Sequence, residues 1–199
     1  LLGVATLNLV KEIKDDLHLN PWDYDINNPE FENDKSTYEL LATGKTNGVF
    51  QVESAGMKDL LIRLKPKLEQ LDFEVISVIL ALYRPDSMGA LDEYVEMASG
   101  GSRPQSIHPD MDEILKDTNY CMIYQEQLLD IVKKFGGRSY GGADLFRKAI
   151  GKKIPELVQK ESEILRGEII ENGYSKAIAN KIADELSQKG GYLFNKSHS

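Results

Sequence analysis

Apolar residues recur along this chain at three- and four-residue spacing, and proline or glycine punctuates the runs. That pattern constrains the fold to packed helices. Met57, Leu60, Leu61 and Leu64 form one stripe, predicting a helix over Ser54–Leu64 that Pro66 closes. Val4, Leu7, Val10, Lys11, Lys14 and Leu17 predict another over 4–19. Asp34 or Ser36 is placed to cap a short helix through Tyr38, Leu40 and Leu41, with Gly44 ending it. Residues 69–83 are apolar enough for a buried helix, and Val75, Ile76, Val78 and Ile79 allow a strand; length favours the helix. Further helices are expected over 90–98, 111–115, 122–135 and 155–171. One carries Leu145, Ala149 and Ile150 against the core, and another is capped by Ser175 and runs through Ile178, Ile182 and Leu186. Between them lie a loop over 20–33 pinned by Trp22 and Tyr24, a short extended segment over 48–52, and a loop over 100–109 read as a soft subdivision. The expected fold class is predominantly all-α.

The chain has 199 residues, 41% of them apolar, which suffices for a real core and excludes a disordered chain. The lone Cys121 excludes an internal disulfide framework, argues against a thiolate zinc site and fits a reducing, cytoplasmic compartment. His18, His108 and His198 share no metal-ligand spacing. The longest apolar stretch, Val75–Leu82, is too short to span a bilayer, so no membrane association is expected. The start, Leu1-Leu2-Gly3-Val4, has neither an initiating Met nor a basic leader, and a position inside a longer protein is expected.

Net charge is −8, which repels phosphate at long range. Yet Lys133, Lys134, Arg138, Arg147, Lys148, Lys152 and Lys153 lie within one short stretch whose only acid is Asp144. Such a patch on an acidic body suits a narrow phosphate site rather than a broad DNA-coating surface. Arg147, Lys148, Lys152 and Lys153 project from about two turns of one helix, as a multiply charged triphosphate requires. A solvated basic face at a helix C-terminus is the plainer reading of the same residues. Tyr124-Gln125-Glu126-Gln127 is either a contact to a base or a neighbouring domain, or a helix start with its carboxylate at the dipole. Arg84 either reaches phosphate or caps a helix end. The glycines form no Walker or dinucleotide motif, and no carboxylate pair or nucleophile motif stands out.

Five blocks in order carry a resemblance: Thr37–Leu41 with Gly48–Met57; Ala81-Leu82-Tyr83-Arg84-Pro85; Tyr124–Gln127; Ala143–Lys153; and Phe194–Ser199. Together they resemble the bacterial replicative DNA polymerase III alpha subunits, the C-family polymerases, over nearly the whole chain. The resemblance implies a multi-helix fingers domain over 21–199, with 1–20 connecting it to the palm. It implies that Arg147, Lys148, Lys152 and Lys153 contact the phosphates of an incoming deoxynucleoside triphosphate. Arg84 and the turn Asn195, Lys196, Ser197 and His198 are further candidate contacts to nucleotide or primer–template DNA. In the family a catalytic aspartate precedes a block similar to Leu2-Gly3, and its two companions lie further upstream. No catalytic residue is therefore expected here, and Mg²⁺ is expected to be bound by the palm rather than by these residues. Two departures stand out: Lys148 where the family has a second arginine, and Asp86 where it has glycine.

The function so implied is template-directed DNA synthesis by a parent nucleotidyltransferase, with primer–template DNA, deoxynucleoside triphosphates, the sliding clamp and replisome subunits as partners. The fragment alone is expected to be inactive. The competing reading is a non-enzymatic helical module whose basic segment docks an acidic protein. A helical nucleotide-hydrolysing enzyme ranks last, for want of a phosphate loop.

Overall fold

The computed structural model describes residues 5–25, 28–32, 34–66, 71–103 and 105–198, and these contain eleven α-helices and no extended sheet. They fall into two compact units, one made of the described residues up to Ile76 together with His198, the other of those in Ser77–Ser197. The loop over 100–109 lies inside the second unit. The Leu2-Gly3 block, the residues before Leu71 in the expected 69–83 helix, and Ser199 lie outside the described residues.

The first unit opens with α1 (Ala5–Asp16), inside the expected 4–19 span. A 3₁₀ turn over Pro21–Tyr24 and the one-turn α2 (Pro29–Glu32) follow. Trp22 does not pin this segment to a core: it is 54% exposed. Asn28 does the holding, buried and donating its Nδ2 to the Trp22 carbonyl at 3.1 Å while its Oδ1 accepts from the Glu30 amide. Helix α3 (Lys35–Ala42) is capped by Asp34, whose carboxylate accepts from the Ser36 amide and the Ser36 and Thr37 hydroxyls. Gly44, at φ +70°, turns the chain after it, where a side chain would strain the backbone and press on Ile62.

Residues 48–52 are not extended. Hydrogen bonds donated by the Val49 amide to the Thr46 carbonyl and by the Val52 amide to the Val49 carbonyl wind them into turns. The buried Thr46 hydroxyl ties the winding by donating to the Val52 carbonyl at 2.5 Å. Helix α4 (Ala55–Leu64) has its N-cap at Ser54 and buries the expected Met57, Leu60, Leu61 and Leu64. The division between units falls within α5 (Phe73–Leu82), which is helical rather than extended and buries Val78, Ile79, Ala81 and Leu82.

The second unit continues through a 3₁₀ turn (Pro85–Ser87), α6 (Met88–Ala98) and α7 (Pro109–Leu115). Then come α8 (Gln125–Gly136), α9 (Tyr140–Gly151), α10 (Pro155–Glu171) and α11 (Lys176–Lys189). Helix α10 packs along α11 and touches α8 and α9, which pack on each other. Phe135, Phe146, Ile131, Leu165, Ile182 and Leu186 are completely buried where these four helices meet. The α8–α9 corner depends on Gly137, at φ +69°, whose missing side chain leaves room for the Asn172 amide. That amide donates to the Phe135 carbonyl at 2.9 Å, so one helix end caps another.

Candidate functional site

Helix α9 carries the basic segment, and its orientation follows from local rules. Ser139 caps it by accepting from the Gly142 amide at 3.2 Å. Ala143, Phe146, Ala149 and Ile150 then repeat at helical spacing and are buried. Leu145 is not part of that face: it is 67% exposed, because it lies about 100° around the helix from Phe146. Locking the buried stripe turns Asp144, Arg147 and Lys148 outward together.

One carboxylate organises that outward face. The Asp144 Oδ1 accepts from the Arg147 Nε at 2.8 Å and forms an ion pair with its Nη2 at the same distance, and its Oδ2 lies 2.8 Å from the Lys148 Nζ. Hydrogen bonds from Lys148 and then Arg147 hold the Asp144 carboxyl below its ordinary range. Arg147 also donates from Nη1 to the Gln125 Oε1 at 3.4 Å. Lys152 follows as the C-cap, exposed and without an ion-pair partner among the described residues. Lys153 adopts φ +55°, a conformation that costs a side-chain-bearing residue about 1–2 kcal/mol. Its Nζ sits 4.1 Å from the Tyr192 ring centroid and 3.8 Å from the Asp86 carboxylate. A cleft of about 470 Å³ opens beside Lys153 and Tyr192, walled in part by Ile150, Pro155 and Val158.

The segment after α11 joins the remaining candidates to this patch. Phe194 pairs with Tyr124 as a single parallel bridge: its amide donates to the Ile123 carbonyl and its carbonyl accepts from the Gln125 amide. Gln125 also donates from Nε2 to the Leu193 carbonyl at 3.3 Å, so it touches both this segment and Arg147. Arg84 donates to the Ala81 carbonyl at the end of α5 and to the Tyr192 carbonyl, both at 2.8 Å, with its guanidinium over the Phe194 ring. Burial lowers its pKa, and Asp86 opposes that shift. Arg84 and Lys153 thus meet at Tyr192.

Asn195 and Lys196 are held from the start of α8. Glu126 accepts from the Asn195 Nδ2 and the Lys196 amide, both at 3.0 Å, and Ser197 donates to the Asn195 Oδ1. Gln127 turns inward instead. Its Oε1 accepts from the Ile123 and Tyr124 amides at 2.9 Å, and its Nε2 donates to the buried Thr118 hydroxyl. Of the Gln125-Glu126-Gln127 triplet, each residue has a different task.

Lys133, Lys134 and Arg138 are not part of the patch. Lys134 pairs with Asp110 at 3.2 Å, and Lys133 lies over the Tyr140 ring. Arg138, nearly buried, donates to Glu168 at 2.7 Å and reaches Glu161 at 3.5 Å on α10. Asp144 and Tyr192, which sequence reading left out, enter the site, and Gln125, offered there as a contact to a base or a neighbouring domain, meets Arg147 and Leu193 instead. Asp144 was legible from its spacing of three and four residues to Arg147 and Lys148. Gln125 and Tyr192 gave no such signal, because their contacts are distant in sequence.

The sequence matches the family model described as the bacterial DNA polymerase III alpha subunit finger domain over residues 6–173. The chain belongs to this family. It is 38% identical over its whole length to the DNA polymerase III subunit alpha of Borreliella burgdorferi, covering 17% of that protein. It is 40% identical over 84% of its length to the subunit of Halalkalibacterium halodurans, covering 15%, and 38% identical over its whole length to that of Aquifex aeolicus, covering 17%. The chain therefore spans about a sixth of the length of these relatives. The helices of the described residues, with no extended sheet among them, agree with that assignment.

Among the described residues no group of three His, Cys, Asp or Glu is placed to hold a metal ion. Asp144, the acid nearest the patch, is spent on Arg147 and Lys148, so these residues do not fit a Mg²⁺ site. No helix among the described residues is long and apolar enough to cross a membrane.

Proposed function

We propose that this chain forms fingers of a template-directed DNA polymerase and contacts the phosphates of an incoming deoxynucleoside triphosphate through Arg147, Lys148, Lys152 and Lys153. The observation that carries this reading is the convergence of Arg147 and Lys148 on a single carboxylate, with Lys152 and Lys153 about one turn further along. Cations 2.8 Å from two oxygens of one anion are already spaced to meet two oxygens of another. Arg84 contributes by fixing Tyr192, against which Lys153 rests, and the Asn195–His198 turn lies alongside as a contact to primer–template DNA.

The domain assignment is likewise proposed: 1–20 as the connection to a palm, 21–199 as fingers. In the parent enzyme, acting on DNA in the cytoplasm with a sliding clamp and replisome subunits, Mg²⁺ and the catalytic aspartates belong to the palm. The cations here would offset charge on the triphosphate and on the departing pyrophosphate, while pairing with the template selects the base.

Fluorescence anisotropy of a labelled primer–template, read at low and near-physiological salt with deoxynucleoside triphosphate present, tests the reading. Binding that weakens with salt, and on changing the four cations to alanine, supports it. Binding to an acidic protein with none to DNA or nucleotide would favour the protein-docking module instead.

A further inference from the structure

The geometry points to Asp144 as a positioning residue that builds the anion site, and we propose that it orients Arg147 and Lys148 for phosphate rather than neutralising them. This rests on the phosphate-binding reading above and adds a residue to it. Adjacent residues on a helix project about 100° apart, and two like charges repel, so Arg147 and Lys148 would diverge if left alone. Asp144 lies three residues before one and four before the other, which puts it beside both. It draws the Arg147 Nε and Nη2 to one oxygen and the Lys148 Nζ to the other, each at 2.8 Å.

The guanidinium is then fixed edge by edge. Its side edge, Nε and Nη2, faces Asp144, and Nη1 reaches Gln125 at 3.4 Å, longer than an optimal contact. A phosphate that displaces this long Gln125 contact can then take the terminal edge, Nη1 and Nη2, in bidentate fashion. Lys148 carries three protons and offers one to Asp144, so two remain. A residue acting through others in this way sets how precisely the first contacts are held.

Coulomb's law alone predicts the opposite sign. Removing a carboxylate a few ångströms from the phosphates should tighten anion binding. Positioning predicts that Asp144→Ala weakens binding of a deoxynucleoside triphosphate on the order of tenfold, comparable to losing one charge-assisted hydrogen bond. Asp144→Asn, whose amide oxygen still accepts from Arg147, should restore most of that loss. Equal or tighter binding by Asp144→Ala would overturn the proposal, as would equally weak binding by both variants.

A ligand-free readout separates this from the reading it rests on. In ¹⁵N spectra of the chain, the Arg147 Nε–H should exchange slowly with water in the wild type and in Asp144→Asn, and rapidly in Asp144→Ala. Rapid exchange in all three would end the positioning role whether or not triphosphate binds. Protection lost only in the alanine variant, with no triphosphate bound by any protein, would show the orientation while overturning its proposed purpose.

Discussion

Two stretches of one basic run end in opposite circumstances. Lys133, Lys134 and Arg138 turn to carboxylates or rings, and Arg138 is nearly buried against Glu161 and Glu168 of α10. Arg147 and Lys148, at the other end of the run, meet a carboxylate of their own helix, and Lys152 has no ion-pair partner among the described residues. Both stretches are rich in cations. Between Arg138 and the Arg147–Lys148 pair what differs is the anion's origin: a partner on a second packed helix makes a staple, whereas a partner one turn away on the same helix leaves donors pointing outward. Counting cations does not separate the two ends of the run; asking which element supplies each one's partner does.

The contrast can be broken most forcefully at Arg138. Truncating it to alanine leaves two partly buried carboxylates without their donor, and should cost about 1–3 kcal/mol in denaturant unfolding. The same change at Lys148, 60% exposed, should cost no more than about 0.5 kcal/mol. Equal losses would mean that the two ends of the run do the same work.

A smaller effect sharpens the picture through pH. Because Asp144 titrates below its ordinary range in the folded chain, its contribution to stability is present above the unfolded carboxylate pKa and is lost as pH falls through the lower folded value. The stability difference between wild type and Asp144→Asn, read by urea unfolding from pH 7 to pH 3, should therefore shrink towards the acid end. A difference that grows on acidification would contradict the hydrogen bonds assigned to that carboxylate.

The smallest expected signal is a control on the surrounding core. Cys121 is buried, and burial first, then Glu93, push its thiol up to about 12, with Lys189 opposing. Alkylation at pH 8 should thus be far slower than for an exposed thiol and should accelerate only on unfolding. Rapid labelling of the native chain would show the second unit to be looser than described.

Local features were the legible ones. The Met57–Leu64 stripe, the Asp34 and Ser175 caps and the helix over 155–171 follow from spacing and capping chemistry confined to a few residues. Residues 48–52 read as extended because nothing in their pattern reveals that Thr46 closes a loop over them. Leu145 read as core because hydrophobicity does not say which side of a helix faces inward, and Phe146 fixed that choice. Of the four candidate cations, Arg147 and Lys148 lie on α9 at helical spacing from Asp144, whereas Lys152 and Lys153, expected on the same helix, lie past its end, where Lys153 takes a positive φ. The pairing of Tyr124 with Phe194 was not legible, since a backbone bridge between residues so far apart leaves no side-chain signature.

The most direct test compares two alanine sets in one salt titration of primer–template binding: Lys133, Lys134 and Arg138 against Arg147, Lys148, Lys152 and Lys153. The account predicts that the second set lowers the slope of log affinity against log salt by about three, while the first leaves it within about one of wild type. A slope lowered equally by both sets, or only by the first, would contradict the proposal that Arg147, Lys148, Lys152 and Lys153 meet the phosphates.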